Sequence, residues 1–183
     1  MPIYVSLLRG INVSGRNRIA MADLRALYEA QGHTNVTTYV QSGNVVSTCR
    51  SKSEAKVADA IEQAIAHDLG LEVTVLVRTP AALGRVLAAD PFASGRADRT
   101  KLHVTFLRDE PAGAAVRAVA APAVAARFAP DEFVIAGREV YLHCPNGYGT
   151  TKINNAFFEK KLEVAATTRN WKTVTQLAEL AGA

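Results

Sequence analysis

The 183-residue chain is poor in the residues that staple, ligate or anchor a protein. Its two cysteines, Cys49 and Cys144, lie far apart and form no CxxC pair, which excludes a disulfide framework and a zinc-ribbon pattern. The four histidines, His33, His67, His103 and His143, share no metal-ligand spacing. His143 and Cys144 are neighbours, and on a strand they would point to opposite faces. No apolar run reaches the roughly 18 residues of a membrane span. No signal-peptide pattern opens the chain, so free thiols in a reducing cytoplasm are expected. No metal or covalent-cofactor motif is present. The histidines have no partner motif around a nucleophile, which argues against a catalytic triad.

What remains is ordinary globular material. The chain is 49% hydrophobic and 21% charged, long enough for one large domain or two small ones. A net charge of +4 and a pI near 9.2 permit a nucleic-acid partner without requiring one. Arginine outnumbers lysine about two to one. That favours planar anion contacts, although an Ala-rich background accounts for the same bias.

The apolar run Ile3–Leu8 reads as a strand. It leads into Arg9-Gly10-Ile11-Asn12-Val13-Ser14-Gly15-Arg16-Asn17-Arg18, which carries three arginines, two glycines and two asparagines, with no acid before Asp23. Backbone N–H groups beside guanidinium groups suit a phosphate or a carboxylate. The glycines have P-loop spacing, but Arg16-Asn17 stand where Lys-Ser/Thr is required, which removes that reading.

Met21, Leu24, Leu27 and Tyr28 repeat at helical spacing, and Gly32 is a natural stop. Val36–Gln41 and Asn44–Cys49 read as strands joined by a tight turn at Ser42-Gly43. Ser51-Lys52-Ser53-Glu54 fits a capping box, and the stripe Val57, Ile61, Ile65 and Leu69 ends at Gly70. Val73, Val75 and Val77 alternate as a strand. The order strand, helix, strand, strand, helix, strand is the ferredoxin-like βαββαβ pattern. Thr79-Pro80 then opens a further helix.

Residues 91–100 have linker composition. Beyond them the order partly recurs: a strand at Lys101–Leu107, an Ala-rich helical stretch broken at Pro122, a hairpin at Gly137-Arg138, a helix over Lys152–Val164 and another over Trp171–Ala181. The expected architecture is therefore α+β with two subdomains. Residues 1–90 form a ferredoxin-like unit, and residues 101–183 form a related βαββα unit that ends in helices, its last strand missing or replaced. No residue-level repeat is evident.

Three further stretches carry candidate chemistry. The amides of Gln41 and Asn44, around Ser42-Gly43, can read a polar ligand, although a hairpin turn also explains them. Asn146-Gly147-Tyr148-Gly149-Thr150-Thr151-Lys152 precedes a helix start, where free N–H groups favour an anion. In that helix Lys152, Asn155 and Glu159 would share one face, and Glu159 is the best-placed acid for general-base work. In Thr167-Thr168-Arg169-Asn170-Trp171, Thr168 or Asn170 can cap the last helix. Arg169 beside a helix start points to a carboxylate partner or a bound anion.

These motifs together resemble a known family. Leu8-Arg9-Gly10-Ile11-Asn12-Val13-x-Gly15-x-Asn17, Met21-x-x-Leu24 and Tyr39-x-Gln41-Ser42-Gly43-Asn44-Val45 are similar to the bacterial family of domain of unknown function 1697. Gly147-Tyr148-Gly149-x-x-Lys152-x-x-Asn155 and Thr168-Arg169-Asn170-Trp171-x-Thr173-Val174 resemble its C-terminal signature. Ser14 and Arg16 replace a usual Gly and Lys, and Thr151 replaces a usual Ser. The resemblance implies an α+β protein with two related subdomains and no established activity.

The expectation is an anionic small molecule, a nucleotide among the candidates, held between the subdomains by Arg9, Gly10, Asn12, Asn17, Gln41, Ser42, Asn44, Lys152, Asn155, Arg169 and Asn170. A nucleic-acid-backbone contact through Arg9, Arg16 and Arg18 is the alternative. Base stacking is disfavoured, because the central strands offer only Tyr4. A partner-binding module with no ligand is the third reading.

Overall fold

The computed structural model describes residues 1–183 except Ser14, Arg16 and Arg96. The chain divides into two compact units. The first comprises Met1–Arg85 with Gln176–Ala183, and the second comprises Val86–Thr175. The final stretch thus groups with the first unit, whereas the sequence reading gave it to the second.

The first unit runs β1 (Ile3–Leu8), α1 (Met21–Ala30), β2 (Thr34–Tyr39), β3 (Asn44–Thr48), α2 (Glu54–Leu69) and β4 (Val75–Arg78), followed by α3 (Pro80–Ala88), which crosses the division. Its antiparallel sheet has the order β2-β3-β1-β4. Tyr4 and Leu8 of β1, Leu24 and Tyr28 of α1, and Val57, Ile61 and Ile65 of α2 share one buried cluster. The helical stripes read from sequence therefore face the sheet, and their burial stabilises the unit by roughly 1.5–3 kcal/mol per large side chain.

Several boundaries differ from the sequence reading for local reasons. Ser53, not Ser51, caps α2, its Oγ accepting from the Lys56 N–H at 3.3 Å. Glu54 does not close a capping box with Ser51; its Oε1 accepts from the Thr79 N–H at 3.1 Å. The β2–β3 connection is longer than Ser42-Gly43, because β2 ends at Tyr39 and Val40 takes a φ of 49°.

The second unit contains β5 (Leu102–Leu107), α4 (Gly113–Ala120), α5 (Pro122–Ala125), β6 (Glu132–Ala136), β7 (Glu139–His143), α6 (Asn155–Leu162) and β8 (Ala166–Asn170). The last helix, α7 (Trp171–Ala181), begins here and crosses the division. The sheet order is β6-β7-β5-β8, the same permutation as in the first unit. The expected absence of a fourth strand is corrected: Ala166–Asn170 pairs with β5 across five residues. Its Thr-rich, nearly apolar-free sequence shows no strand alternation, and the capping residue Asn170 ends the strand rather than a loop. The α+β architecture of two four-stranded antiparallel sheets with helices stands.

Residues 91–100 lie inside the second unit. Asp90 Oδ1 accepts from the Phe92 N–H at 2.9 Å, and Asp90 also pairs with Arg99. Asp98 Oδ1 accepts from the Thr100 N–H at 2.9 Å. A segment with linker composition is thereby pinned by two aspartates. Among the described residues, no helix is long and apolar enough to cross a membrane.

Candidate functional site

In the first unit the β1–α1 loop is held by its own polar side chains. Ile11 and Ile19 are buried in the core cluster and anchor its two ends. Between them Asn12 acts as a clip. Its Nδ2 donates to the Ile19 carbonyl at 2.9 Å and to the Gln41 carbonyl at 2.8 Å, while its Oδ1 accepts from the Ile19 N–H at 2.9 Å. The Asn12 N–H also donates to the Asn17 carbonyl at 3.2 Å. Asn17 Nδ2 reaches the Gly10 carbonyl at 3.4 Å. Gly10, Asn12, Gly15 and Asn17 all have φ between 47° and 76°, a region that glycine and asparagine reach most readily.

The neighbouring turn is equally constrained. Asn44 is buried, and its Nδ2 donates to the Tyr39 carbonyl at 2.9 Å and to Ser42 Oγ at 3.0 Å. Gly43 accepts the Leu8 N–H at 2.8 Å. The structure thus brings Gly10, Asn12, Asn17, Gln41, Ser42 and Asn44 into one neighbourhood. Several of the amides expected to meet a ligand hold the loop instead. Arg9 follows β1 directly, and its N–H donates to the Thr74 carbonyl at 2.9 Å.

A hollow of about 500 Å³ lies against this loop, lined by Asn12, Gly15, Arg18, Ile19, Met21 and Gln41 among others. It opens at the start of α1, where Ala20 occupies the N-cap and has no side chain to satisfy the first-turn N–H groups. Asp23 in that turn is the only acid there. Arg18 is exposed and lies against Gly15; a Cβ on Gly15 would sit 3.7 Å from Arg18 Nη2. The sequence offers Arg18 only as a contact to a nucleic-acid backbone and not among the residues expected to hold a small anion. Ser14 and Arg16 lie outside the described residues.

The second unit holds the remaining candidates. Lys152 does not share a helix face with Asn155 and Glu159, because α6 starts three residues later than expected. Asn154 caps that helix, its Oδ1 accepting from the Phe157 N–H at 3.2 Å, and Thr151 Oγ1 accepts from the Ile153 N–H at 3.2 Å. Lys152 lies ahead of the cap and is exposed. Glu159 Oε1 accepts from the Ala166 N–H at 2.9 Å and so fixes the start of β8. Asn170 Oδ1 accepts from the Thr173 N–H at 2.8 Å, which is its expected capping role.

Asn155 belongs to a network that sequence reasoning missed. Thr168 Oγ1 donates to Asn155 Oδ1 at 2.5 Å and accepts from Tyr148 OH at 3.0 Å. Thr105 Oγ1 lies 2.6 Å from Thr168 Oγ1. A hydroxyl has one proton, so Thr105 donates and Thr168 is saturated. Tyr148 stacks on His103 with centroids 4.8 Å apart. Burial raises the Tyr148 pKa and lowers that of His103. Three of these groups are threonine or asparagine, and their meeting depends on the pairing of β5 with β8, which no spacing along the chain shows.

Arg169 is buried on β8, and its Nη1 donates to Thr167 Oγ1 at 2.8 Å and to the Thr168 carbonyl at 2.9 Å. Burial pulls its pKa down to about 10, with Tyr148 opposing. Cys49 and Cys144 are both buried free thiols, and burial pushes Cys144 up to about 11. Tyr4 is 2% exposed and its OH donates to the Ser51 carbonyl at 3.0 Å, so its ring is closed to base stacking.

The fold and these loops define a two-unit α+β protein with a clipped, glycine- and asparagine-shaped loop after its first strand. The chain belongs to the family described as "Protein of unknown function (DUF1697)", whose model matches residues 1–141. A solved structure of conserved bacterial protein SP0830 from Streptococcus pneumoniae is similar over 98% of both chains, with a TM-score of 0.73 and 22% identity. That likeness shows the fold. No curated protein matches.

Proposed function

We propose that this chain binds an anionic small molecule, bearing a phosphate or carboxylate, in the hollow beside the β1–α1 loop. The carrying observation is Arg18. It lines that hollow at a helix start whose N-cap, Ala20, makes no side-chain hydrogen bond, and it has no hydrogen-bond or ion-pair partner among the described residues. Helix N–H groups and a guanidinium converge on anions for the same electrostatic reason. Asn12 sets the loop shape, and Gln41 borders the site. We read each unit as ferredoxin-like, supported by its βαββαβ order. We place the protein in a reducing cytoplasm, which suits its two free thiols.

Thermal-shift measurements with inorganic phosphate, nucleotides and phosphorylated sugars test the proposal. A ligand at about 100 times its Kd stabilises the folded state by roughly 2.7 kcal/mol. Arg18→Ala should remove that gain and leave the unliganded melting temperature unchanged. No stabilisation by any of them at millimolar concentration sinks it.

A further inference from the structure

The second unit carries a different surface feature. A pocket of about 410 Å³ is walled by Val119, Val124, Phe128 and Phe157, and rimmed by Arg127, Lys152 and Lys161. That volume lies in the range of small-molecule sites. The wall is preformed: Phe128 and Phe157 meet edge to face with centroids 4.9 Å apart, and Phe157 meets Phe158 in the same way at 5.2 Å. Phe158 is fully buried in the core of the unit and backs the wall.

The rim is of one sign. No acid lines the pocket. Arg127, Lys152 and Lys161 have no hydrogen-bond or ion-pair partner among the described residues. The acid of the adjoining small hollow, Asp131, is engaged by Thr151, whose Oγ1 donates to its Oδ2 at 2.6 Å. Three exposed cations around an apolar floor ask for an occupant that buries carbon and presents one anionic group. A simple inorganic anion would leave the floor wet, and a neutral apolar molecule would leave the cations unused.

We propose that this pocket binds an amphipathic organic carboxylate, its apolar body on the Phe128–Phe157 wall and its carboxylate among Arg127, Lys152 and Lys161. The pocket is lined by none of the residues of the β1–α1 loop, and the proposal does not depend on the reading given for that loop.

Calorimetric titration of the full chain with decanoate below its micelle concentration, against 1-decanol and acetate, tests it. Decanoate should bind with one-to-one stoichiometry, decanol at least about tenfold more weakly, and acetate not measurably; charge-assisted contacts carry that margin. The double variant Lys152→Ala/Lys161→Ala changes only exposed side chains. It should weaken decanoate about tenfold or more and leave decanol unchanged. Arg18→Ala should bind decanoate as the parent does, which separates this site from the loop. Equal affinity for decanoate and decanol, no effect of the double variant, or no decanoate binding would each overturn the proposal. So would binding to anionic phosphatidylglycerol vesicles without binding of monomeric decanoate, which would make the rim a membrane-facing patch.

Discussion

Arg78 and Arg169 occupy the same register position in two sheets. Arg78 on β4 pairs with Val5 of the central strand β1, and Arg169 on β8 pairs with Val104 of the central strand β5. Both are buried, and each sends Nη1 to the carbonyl before it, at 3.0 and 2.9 Å. The correspondence extends outward. The N–H groups of Arg9 and Arg108 donate to the Thr74 and Ala165 carbonyls, each at 2.9 Å. Those of Cys49 and Cys144 donate to the Pro2 and Lys101 carbonyls at 3.1 and 3.0 Å. Val5-Ser6-Leu7-Leu8-Arg9 and Val104-Thr105-Phe106-Leu107-Arg108 are counterparts residue by residue. The units are thus duplicated in detail, and the only two cysteines are one position seen twice.

A buried guanidinium that satisfies its own strand's carbonyl should be hard to replace. Arg169→Met removes donors from Thr167 Oγ1 and the Thr168 carbonyl and should lower stability by about 2–4 kcal/mol. Arg78→Met should cost a similar amount. Arg169→Lys keeps the charge but loses the planar fork, and should recover only part of the loss. Denaturant midpoints check this, and a loss below about half a kcal/mol in either Met variant would contradict the structural role.

Gly43 and Gly137 separate two kinds of glycine requirement. Both have positive φ, at 77° and 58°. A Cβ on Gly43 would stand 2.7 Å from Leu8 Cβ and 2.8 Å from Ile11 Cγ1, whereas one on Gly137 meets nothing within 4 Å. Gly137→Ala should cost about 1 kcal/mol from backbone strain alone. Gly43→Ala adds overpacking against two buried side chains and should cost about 2–4 kcal/mol. Thermal unfolding of the pair gives the comparison, and equal losses would refute the close approach.

The contrast marks what sequence could tell. Gly43 as a turn glycine was legible, because its flanks alternate as strands. Its clash with Ile11 was not, because that contact joins a loop to a hairpin. The helices of the first unit were legible from apolar stripes. β8 was not, because Ala166-Thr167-Thr168-Arg169-Asn170 buries polar side chains against polar partners and shows no hydrophobic alternation. The repeat was hidden for a related reason. Counterpart helices differ in length, sixteen residues in α2 against eight in α6, so no constant spacing survives. Of the site, the loop could be located from its glycines and asparagines. That Asn12 would spend its amide on holding the loop could not, since a side-chain amide suits a ligand and a carbonyl equally.

One buried histidine, His33, and one half-buried histidine, His103, give stability a pH dependence of defined sign. Burial lowers the pKa of His33, which lies 2.9 Å from Ser47 Oγ, and that of His103, stacked on Tyr148. Their unfolded value is about 6.5. The folded state therefore binds fewer protons than the unfolded one below that pH. Their contribution is complete above about pH 6.5 and is lost as pH falls from there through the lower folded pKa. The melting temperature should drop between pH 7.5 and 5.5. The drop should be shallower in His33→Gln and in His103→Gln than in the parent. Parallel profiles in parent and variants would show that neither ring titrates with unfolding.

Thr168 is where polar cost concentrates in the second unit. Its hydroxyl accepts from Thr105 and Tyr148 and donates to Asn155, so one atom completes the valence of three partners. Thr168→Val keeps the shape and deletes all three bonds. It leaves the Tyr148 proton and an amide oxygen without an acceptor and a donor in a part-buried setting, although the Tyr148 oxygen keeps its bond from the Asn155 backbone, and should cost about 2–4 kcal/mol. Thr168→Ser keeps the hydroxyl and should cost far less. Thr105→Val removes only one bond, and in the double variant the remaining loss is already incurred. The two substitutions should therefore be non-additive, with an interaction energy of about 0.5–3 kcal/mol in a double-mutant cycle. Strict additivity would mean that Thr105 and Thr168 are neighbours without a shared proton, and the network would reduce to Tyr148, Thr168 and Asn155.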